Sequence, residues 1–484
     1  MKEQIENIVE EAKKVADIIK LHSGSVRVVS HYDADGITSA SILVRALLRE
    51  NKSFHLSLVK QLNEDVIEDL SKEENSLVVF LDFGSGQLDN IQKYLLDKVN
   101  RVIISDHHQI QGSISQENRD RVIHINPVDF GIADNVSGSG MSYLIARAMN
   151  PENRDLSGLA IIGAIGDSQI GSIEEDWGLS GLNKEILKDS EKTNKISVEK
   201  GLRLWGRYTR PVHKSLEYSI DPFIPGVSGS ESASVQFLNE LGIELKNDRG
   251  GWRTLADLSE EEQQKLASGM IKERIRGNED NPEWVFGDVY ELLDKGNEFR
   301  NANEFATLLN ACGKLKKGYL GIALCLNDPE SFAEVPDVLE TYRKGIGKAL
   351  NWVYRNKEII KTTENANYIL ARNKISEHII SNVTSILSRS GMVPEKPTFA
   401  FANTDDGKVK ISARASEKLI KDGIDLKNII VEAVKETGGE GGGHKASAGA
   451  TIPLGSEESF INCVERILKK PTNKEGKENA KETI

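Results

Sequence analysis

At 484 residues the chain is too long for one compact core, so two or three domains are expected. Hydrophobic residues make up 38% and charged residues 28%, which fits a globular protein, and no run approaches the roughly 20 apolar residues of a membrane span. A net charge of −12 excludes a generally basic surface for duplex nucleic acid, so any phosphate-binding surface has to be local.

The first twenty residues place Ile5, Ile8, Val9, Ala12, Val15, Ala16 and Ile19 at helical spacing among acidic residues, which predicts an amphipathic helix and not a signal peptide. Short β-branched runs then alternate with helical stretches, the pattern of a parallel sheet covered by helices. Strands are expected at Val26 to Ser30, Leu77 to Asp82, Arg101 to Ser105 and Arg121 to Ile125. SGLAIIGAIGDSQIG reads as an apolar helix leading to Asp167. The middle region from about Ser190 to Pro329 is mixed. It contains LRLWGRYTRPVHKSLEY, where Arg203, Arg207, Arg210 and Lys214 stand beside Trp205 and Tyr208, a composition that suits either a strand-binding element or an internally salt-bridged surface. PDVLETYRKGIGKALNWVYRNKEII predicts a connecting helix, and a second, smaller α/β domain follows. In that domain TFAFAN and VKISARAS are strands, Leu419 to Lys435 is helical, and GGEGGGHKASAGATI is a glycine-rich loop entering a strand. The last residues are nearly free of apolar side chains and are expected to be disordered. The boundaries are 1–190, 191–335 for the middle region, 336–365 for the connecting helix, 366–470, and a tail at 471–484. Cys312, Cys325 and Cys463 have no metal-ligand spacing and read as buried thiols in a reducing cytoplasm.

The first three strands run into HYDADG, DFGSGQ and DHH. Ligands of open parallel sheets bind beyond the carboxyl ends of the strands, so these clusters should converge. His31, Asp33 and Asp35, with Asp82 and His107, supply the carboxylate and imidazole donors that suit Mn2+ or Mg2+, and Asp167 completes the set. Two ions roughly 4 Å apart can clamp both oxygens of an in-line displacement at phosphorus. Each piece alone is more often a helix cap or a solvated loop than a metal site. Their order makes the signal.

These residues resemble the DHH phosphoesterase superfamily, specifically the archaeal RecJ-like nucleases. HYDADGITS, LDFGSGQ, SDHHQ and GAIGDSQ look like its four motifs, and GGGHKASAG is similar to the glycine-rich motif of the C-terminal DHHA1 domain. The resemblance implies an α/β fold: a parallel-sheet N-terminal DHH domain and a smaller C-terminal α/β DHHA1 domain joined by a connecting helix. It implies that His31 and Asp33 hold one metal ion, that Asp35, His107 and Asp167 hold the other, and that Asp82 bridges them. His108 then faces the substrate phosphate, and Asp106 orients the histidines or assists proton transfer. Arg414, Gly442, Gly443 and His444 are the implied substrate contacts, although a flexible turn and a surface arginine are the plain alternatives.

The implied activity is two-metal phosphodiester hydrolysis on single-stranded DNA, from 5' to 3', with RNA as a further substrate and the strand held in a cleft between the domains. A phosphodiesterase for oligoribonucleotides or cyclic dinucleotides shares every ligand, and a replication scaffold that binds the GINS complex is the alternative outside catalysis. The complete ligand set favours activity, the size of the middle region and its basic stretch favour a polymer, and a cytoplasmic location is expected.

Overall fold

The computed structural model describes residues 2–74, 76–132, 136–170, 178–219, 222–277, 279, 281–389, 392–443 and 445–469. Five short strands form the first sheet: β1 (Val26–His31), β2 (Phe54–Val59), β3 (Leu77–Leu81), β4 (Arg101–Ser105) and β5 (Val122–Ile125). All are parallel, in the order β2-β1-β3-β4-β5. β3 is LVVFL and wholly buried, because helices cover both faces of a parallel sheet and leave no polar side to alternate with. β2 is absent from the sequence reading. It is an edge strand, FHLSLV, whose polar alternation leaves no apolar run to mark it.

The helices of this part are α1 (Lys2–Leu21), α2 (Ala34–Arg49), α3 (Glu64–Ser71), α4 (Leu88–Leu95), α5 (Gly138–Met149), α6 (Ser157–Gly166) and α7 (Gly181–Lys192). α3 and α4 close one core with Ile67, Leu70, Ile91 and Leu95 against Val78, Phe80, Val102 and Ile104. α2 packs against α5 and α6, and α1 against α5. The register decides where the polar clusters go: Ser30 pairs with Leu81, and Leu81 with Ser105. The residues that follow, His31, Asp82 and Asp106, therefore emerge side by side at the carboxyl edge.

A two-stranded antiparallel ribbon, β6 (Ile196–Leu202) and β7 (Phe286–Leu292), leaves and re-enters this part. Between its strands lie α8 (Val212–Glu217), α9 (Glu231–Glu240) and α10 (Glu260–Arg276), around a core that includes Leu216, Phe237, Leu238, Leu266 and Met270. After it come α11 (Ala302–Lys314) and α12 (Gly318–Cys325), which pack on α2. Contacts divide the chain into two units, Met1–Glu273 with Pro282–Leu339, and Arg274–Asn281 with Glu340–Ile484, so most of the middle region belongs with the first sheet.

The expected connecting helix, whose residues up to Leu339 belong to the first unit and the rest to the second, is shorter than its periodicity predicts. α13 is Val335–Arg355, and Ile360–Thr362 forms β8, because this β-branched run pairs antiparallel with β9 (Asn367–Arg372). The sheet continues through β10 (Thr398–Asn403), β11 (Lys408–Arg414), β12 (Glu440–Gly443) and β13 (Ser447–Pro453), in the order β12-β13-β11-β10-β9-β8. Period two sorts β10: Phe399 and Phe401 face a core with Phe460, Ile430 and Val464, while Ala400 and Ala402 face Val353, Val383 and Leu387. The helices here are α14 (Ile380–Arg389), α15 (Glu417–Lys421), α16 (Leu426–Thr437) and α17 (Glu457–Lys469). The single helix expected over 419–435 is broken at Gly423, whose φ of +101° suits only glycine, and Asp425 caps the second piece.

Cys312, Cys325 and Cys463 are buried free thiols. No described helix is long and apolar enough to cross a membrane. The expected tail at 471–484 lies outside the described residues. Phe460 is fully buried and meets Phe401 edge to face at 5.9 Å, so Phe460→Ala should destabilise the second unit by about 3–5 kcal/mol, read as a fall in its urea midpoint.

Candidate metal centre

The HYDADG cluster does not continue the strand. β1 ends at His31 and α2 begins at Ala34, so Asp33 is an N-cap that accepts the Gly36 N–H at 3.0 Å, and Asp35 lies in the first helical turn. Strand alternation therefore does not aim these side chains; the strand-to-helix turn does. A Cβ at Gly36 would stand 2.2 Å from the His31 carbonyl oxygen, so this tight turn requires glycine.

Asp82 follows β3 with φ +64°, a left-handed conformation uncommon for a residue with a side chain. This turn directs a carboxylate that is only 2% exposed toward its neighbours on both sides. His31 Nδ1 lies 3.0 Å from Asp33 Oδ2 and 3.5 Å from Asp82 Oδ2. His107 Nε2 lies 3.3 Å from Asp82 Oδ1 and 3.6 Å from Asp35 Oδ2 and Asp167 Oδ2 alike. Three groups of donor atoms thus come within 4.8 Å of one another: His31, Asp33 and Asp82; Asp35, His107 and Asp167; and Asp82, His107 and His108. Asp82 belongs to two of them.

Buried groups shift one another strongly here. Burial opposes charge on His107, but the adjacent Asp82 carboxylate and the charges of Asp167 and Asp35 outweigh it and raise the ring to about 10. Burial likewise disfavours a charged His31, whose pKa nevertheless rises well above the usual range beside Asp33 and Asp82. Burial would raise Asp82 too, yet the His107 and His31 rings hold it well below the usual carboxylate range. Asp35 rises well above that range, through burial and then the Asp82 charge. By themselves these residues retain protons to offset crowded negative charge. The geometry also fits metal ions: His31 Nδ1, Asp82 Oδ1 and His107 Nε2 are buried and close to opposite charge but make no well-aligned hydrogen bond, and all three residues belong to these donor groups. Mixed imidazole and carboxylate donors suit Mn2+ or Mg2+.

Around this set the structure adds supports that the sequence reading missed. Asp35 accepts the Gly138 N–H at 2.7 Å and the Ser139 N–H at 3.0 Å, so the positive end of α5 faces it. Gln169 Nε2 donates to Asp167 at 2.8 Å and to the Val136 carbonyl at 3.2 Å, while its own oxygen accepts from Asn183 at 2.7 Å. Asn126 Nδ2 donates to Ser85 Oγ at 2.8 Å and to the His108 carbonyl at 2.9 Å. Only Gln169, two residues past Asp167 in GDSQ, had a signal nearby in sequence.

Asp106 is fully buried and does not join the donor groups. Its oxygens accept four bonds: the N–H of His107 at 2.8 Å, of His108 at 3.1 Å and of Ser85 at 2.9 Å, and His108 Nδ1 at 2.7 Å. Burial would raise its pKa, but the neighbouring His108 holds it well below the usual range. Four donors occupy Asp106, an arrangement that matches the orienting one of the two roles expected of it. His108, with its side chain 53% exposed, turns its ring toward solvent and is raised to about 9, burial being outweighed by Asp106.

In the second unit Arg414 is half-buried with neutral partners: Ser385 Oγ at 2.8 Å, the Ala413 carbonyl at 2.8 Å and Ser412 Oγ at 3.3 Å. Burial and then the Arg389 charge lower it to about 10. A guanidinium so placed favours an anion. Gly442 and Gly443 are not in a loop as expected. They belong to edge strand β12, opposite Gly449 and Ala448, because small residues on both strands allow close pairing. His444 lies outside the described residues.

The basic and aromatic stretch of the middle region is occupied internally. Arg203 stacks on Trp284 at 3.8 Å, Arg210 lies over Trp205 and Tyr218, Arg207 pairs with Glu291, and Lys214 pairs with Glu217 and Glu231. It is the salt-bridged alternative that holds, and this stretch no longer argues for a polymeric substrate.

Fold and cluster together define a protein of two α/β units, the first with a carboxylate and imidazole centre at its sheet edge. Family models match at residues 25–164 (DHH family, N-terminal domain), 204–283 (DHH-CID domain) and 365–470 (DHHA1 domain). An uncharacterised protein of Methanocaldococcus jannaschii is 30% identical over 97% of this chain and 99% of its own length. The single-stranded-DNA-specific exonuclease RecJ of Thermus thermophilus is 26% identical over 216 residues, 42% of this chain and 30% of that protein. Among solved structures, RecJ in complex with Mn2+ from T. thermophilus matches with TM-score 0.57 and 16% identity, over 95% of this chain and 54% of that one. CDC45 from Entamoeba histolytica matches with TM-score 0.58 and 11% identity, over 96% and 98%. The chain belongs to the DHH phosphoesterase superfamily and is RecJ-like.

Asp106→Asn puts an amide among four donors and should destabilise the protein by about 3–5 kcal/mol at pH 7, measured by urea unfolding. Because the folded carboxyl is depressed, its contribution is present above pH ~4 and is lost as pH falls toward the folded value. The gap between wild type and variant should close in that direction.

Proposed function

We propose that this protein is a two-metal phosphodiesterase that digests single-stranded nucleic acid from an end, with DNA in the 5' to 3' direction as the favoured substrate. One observation carries the reading: three buried ligand atoms, on His31, Asp82 and His107, converge at the carboxyl edge of the sheet within ion-pair distance of carboxylates or rings yet without a well-aligned hydrogen bond. His31 and Asp33 would hold one ion, Asp35, His107 and Asp167 the other, and Asp82 both. Bound Mn2+ or Mg2+ supplies a nucleophile at neutral pH and offsets charge on the phosphate. Asp106 holds the His108 ring, which presents a cation beside the centre and binds the scissile phosphate. Arg414 of the second unit binds a backbone phosphate, and its neutral surroundings support that role. Gly442, Gly443 and His444 remain proposed contacts by resemblance. The RecJ likeness supports single-stranded DNA as the polymer.

The CDC45 likeness favours a second reading, a replication scaffold with GINS as the partner, because that match spans 98% of the other chain. The full donor set argues for catalysis alongside any such role.

End-labelled DNA and RNA single strands, incubated with Mn2+, Mg2+ or EDTA, test the proposal. Metal-dependent release of mononucleotides is expected, and Asp82→Ala should reduce it ~10^3-fold or more. A folded, metal-loaded wild type that cuts no polymer would move the reading to small phosphodiesters or to the scaffold.

Ligation needs neutral rings, and His107 is raised to about 10, so metal binding must release protons. Mn2+ affinity is expected to rise from pH 7 to pH 9, by up to about tenfold per unit for each proton released. Titration calorimetry in two buffers counts those protons. A flat profile would show that the His31 and His107 rings are already neutral in the metal-free protein. In the metal-free protein the sign is reversed: the raised His107 stabilises the fold below its ordinary value, and that contribution is lost as pH rises through about 10.

A further inference from the structure

The first turn of any helix leaves N–H groups without intrahelical partners. In α2, Asp33 satisfies that of Gly36, but Ala34, fully buried between Asp33 and Asp35, requires another acceptor. It is Asn310 Oδ1, at 2.9 Å, on α11 and 276 residues away in sequence. One turn further along α11, a Cβ at Gly313 would lie 1.8 Å from the Tyr32 carbonyl oxygen, so the helix backbone rests on the other side of Asp33. α11 also reaches the end of α6 that presents Asp167: Cβ atoms at Gly166 would meet Ala34 at 2.6 Å and Ala306 at 3.6 Å. One helix therefore braces both segments that supply Asp33, Asp35 and Asp167.

We infer that Asn310 is a positioning residue for the metal centre: by capping Ala34 it fixes the backbone between Asp33 and Asp35 and so sets affinity for divalent ions. This rests on the reading that the centre binds such ions. Among the described residues Asn310 bonds to no donor atom of the centre; it acts through the Ala34 amide. Only its acceptor oxygen is needed, so aspartate can substitute, while leucine, of similar size, cannot.

The test is Mn2+ binding to the full chain, read from the electron paramagnetic resonance signal of free Mn2+. Asn310→Leu should weaken binding at least tenfold, and Asn310→Asp should bind at or above the wild-type affinity. A general packing role would not be rescued by aspartate, a charged group. If the leucine variant does not fold, Asn310→Ala takes its place with the same expectation. Wild-type affinity in a folded Leu or Ala variant, or an Asp variant as weak as they are, overturns the inference. A wild type that binds no Mn2+ instead defeats the metal reading itself, and Asp82→Ala, measured alongside, separates the two failures.

Discussion

Four carboxylates and two imidazoles share one end of a parallel sheet, and much of the first unit follows from making that crowding tolerable. Asp35 and Asp82 are nearly inaccessible, with exposures of 1% and 2%, where an uncompensated charge is strongly disfavoured. The strand register forces them together: the residues after β1, β3 and β4 must emerge as neighbours. Turning those residues inward requires a left-handed aspartate at position 82 and a glycine at position 36. Such conformations persist only where the surrounding structure imposes them.

Compensation comes first from the protein itself. The amides at the start of α5 face Asp35, as fixed partial positive charge. Raised histidines beside Asp33 and Asp82 provide protons, and they can surrender them to a stronger cation. Asp106 differs in kind from the others. Its four bonds come from the two histidines of its own loop and from Ser85 after β3, so its charge is met by fixed donors that hold the loop and the His108 ring.

The second unit places its cation differently. Arg414 stands among hydroxyl and carbonyl oxygens, and burial and then the Arg389 charge lower it, with no carboxylate among its hydrogen-bond partners. The arginines of the middle region have the opposite character. Stacked on tryptophan and tyrosine or paired with glutamate, they hold β6, β7 and their helices together. The same residue types thus stand among neutral partners in one place and among stacked or paired ones in another, and composition alone does not distinguish them.

By itself the sequence determined the parallel sheet, the place of each acidic cluster after a strand, and the alternating strands of the second unit. These depend on periodicity and on neighbours within a few residues. It also named the residues that converge at the sheet edge, since their types, order and spacing are local. Tertiary structure decided what supports them. The Gly138 amide lies 103 residues from Asp35, and Asn310 lies 276 from Ala34, and no local pattern announces a contact at such a distance. Tertiary pairing also overrode local preference where the two competed. Ile360–Thr362 left its helical period to join a sheet edge, and the glycine-rich run became an edge strand because small residues faced it across the pair. Whether a charged side chain meets a partner within the fold is settled only when distant segments pack.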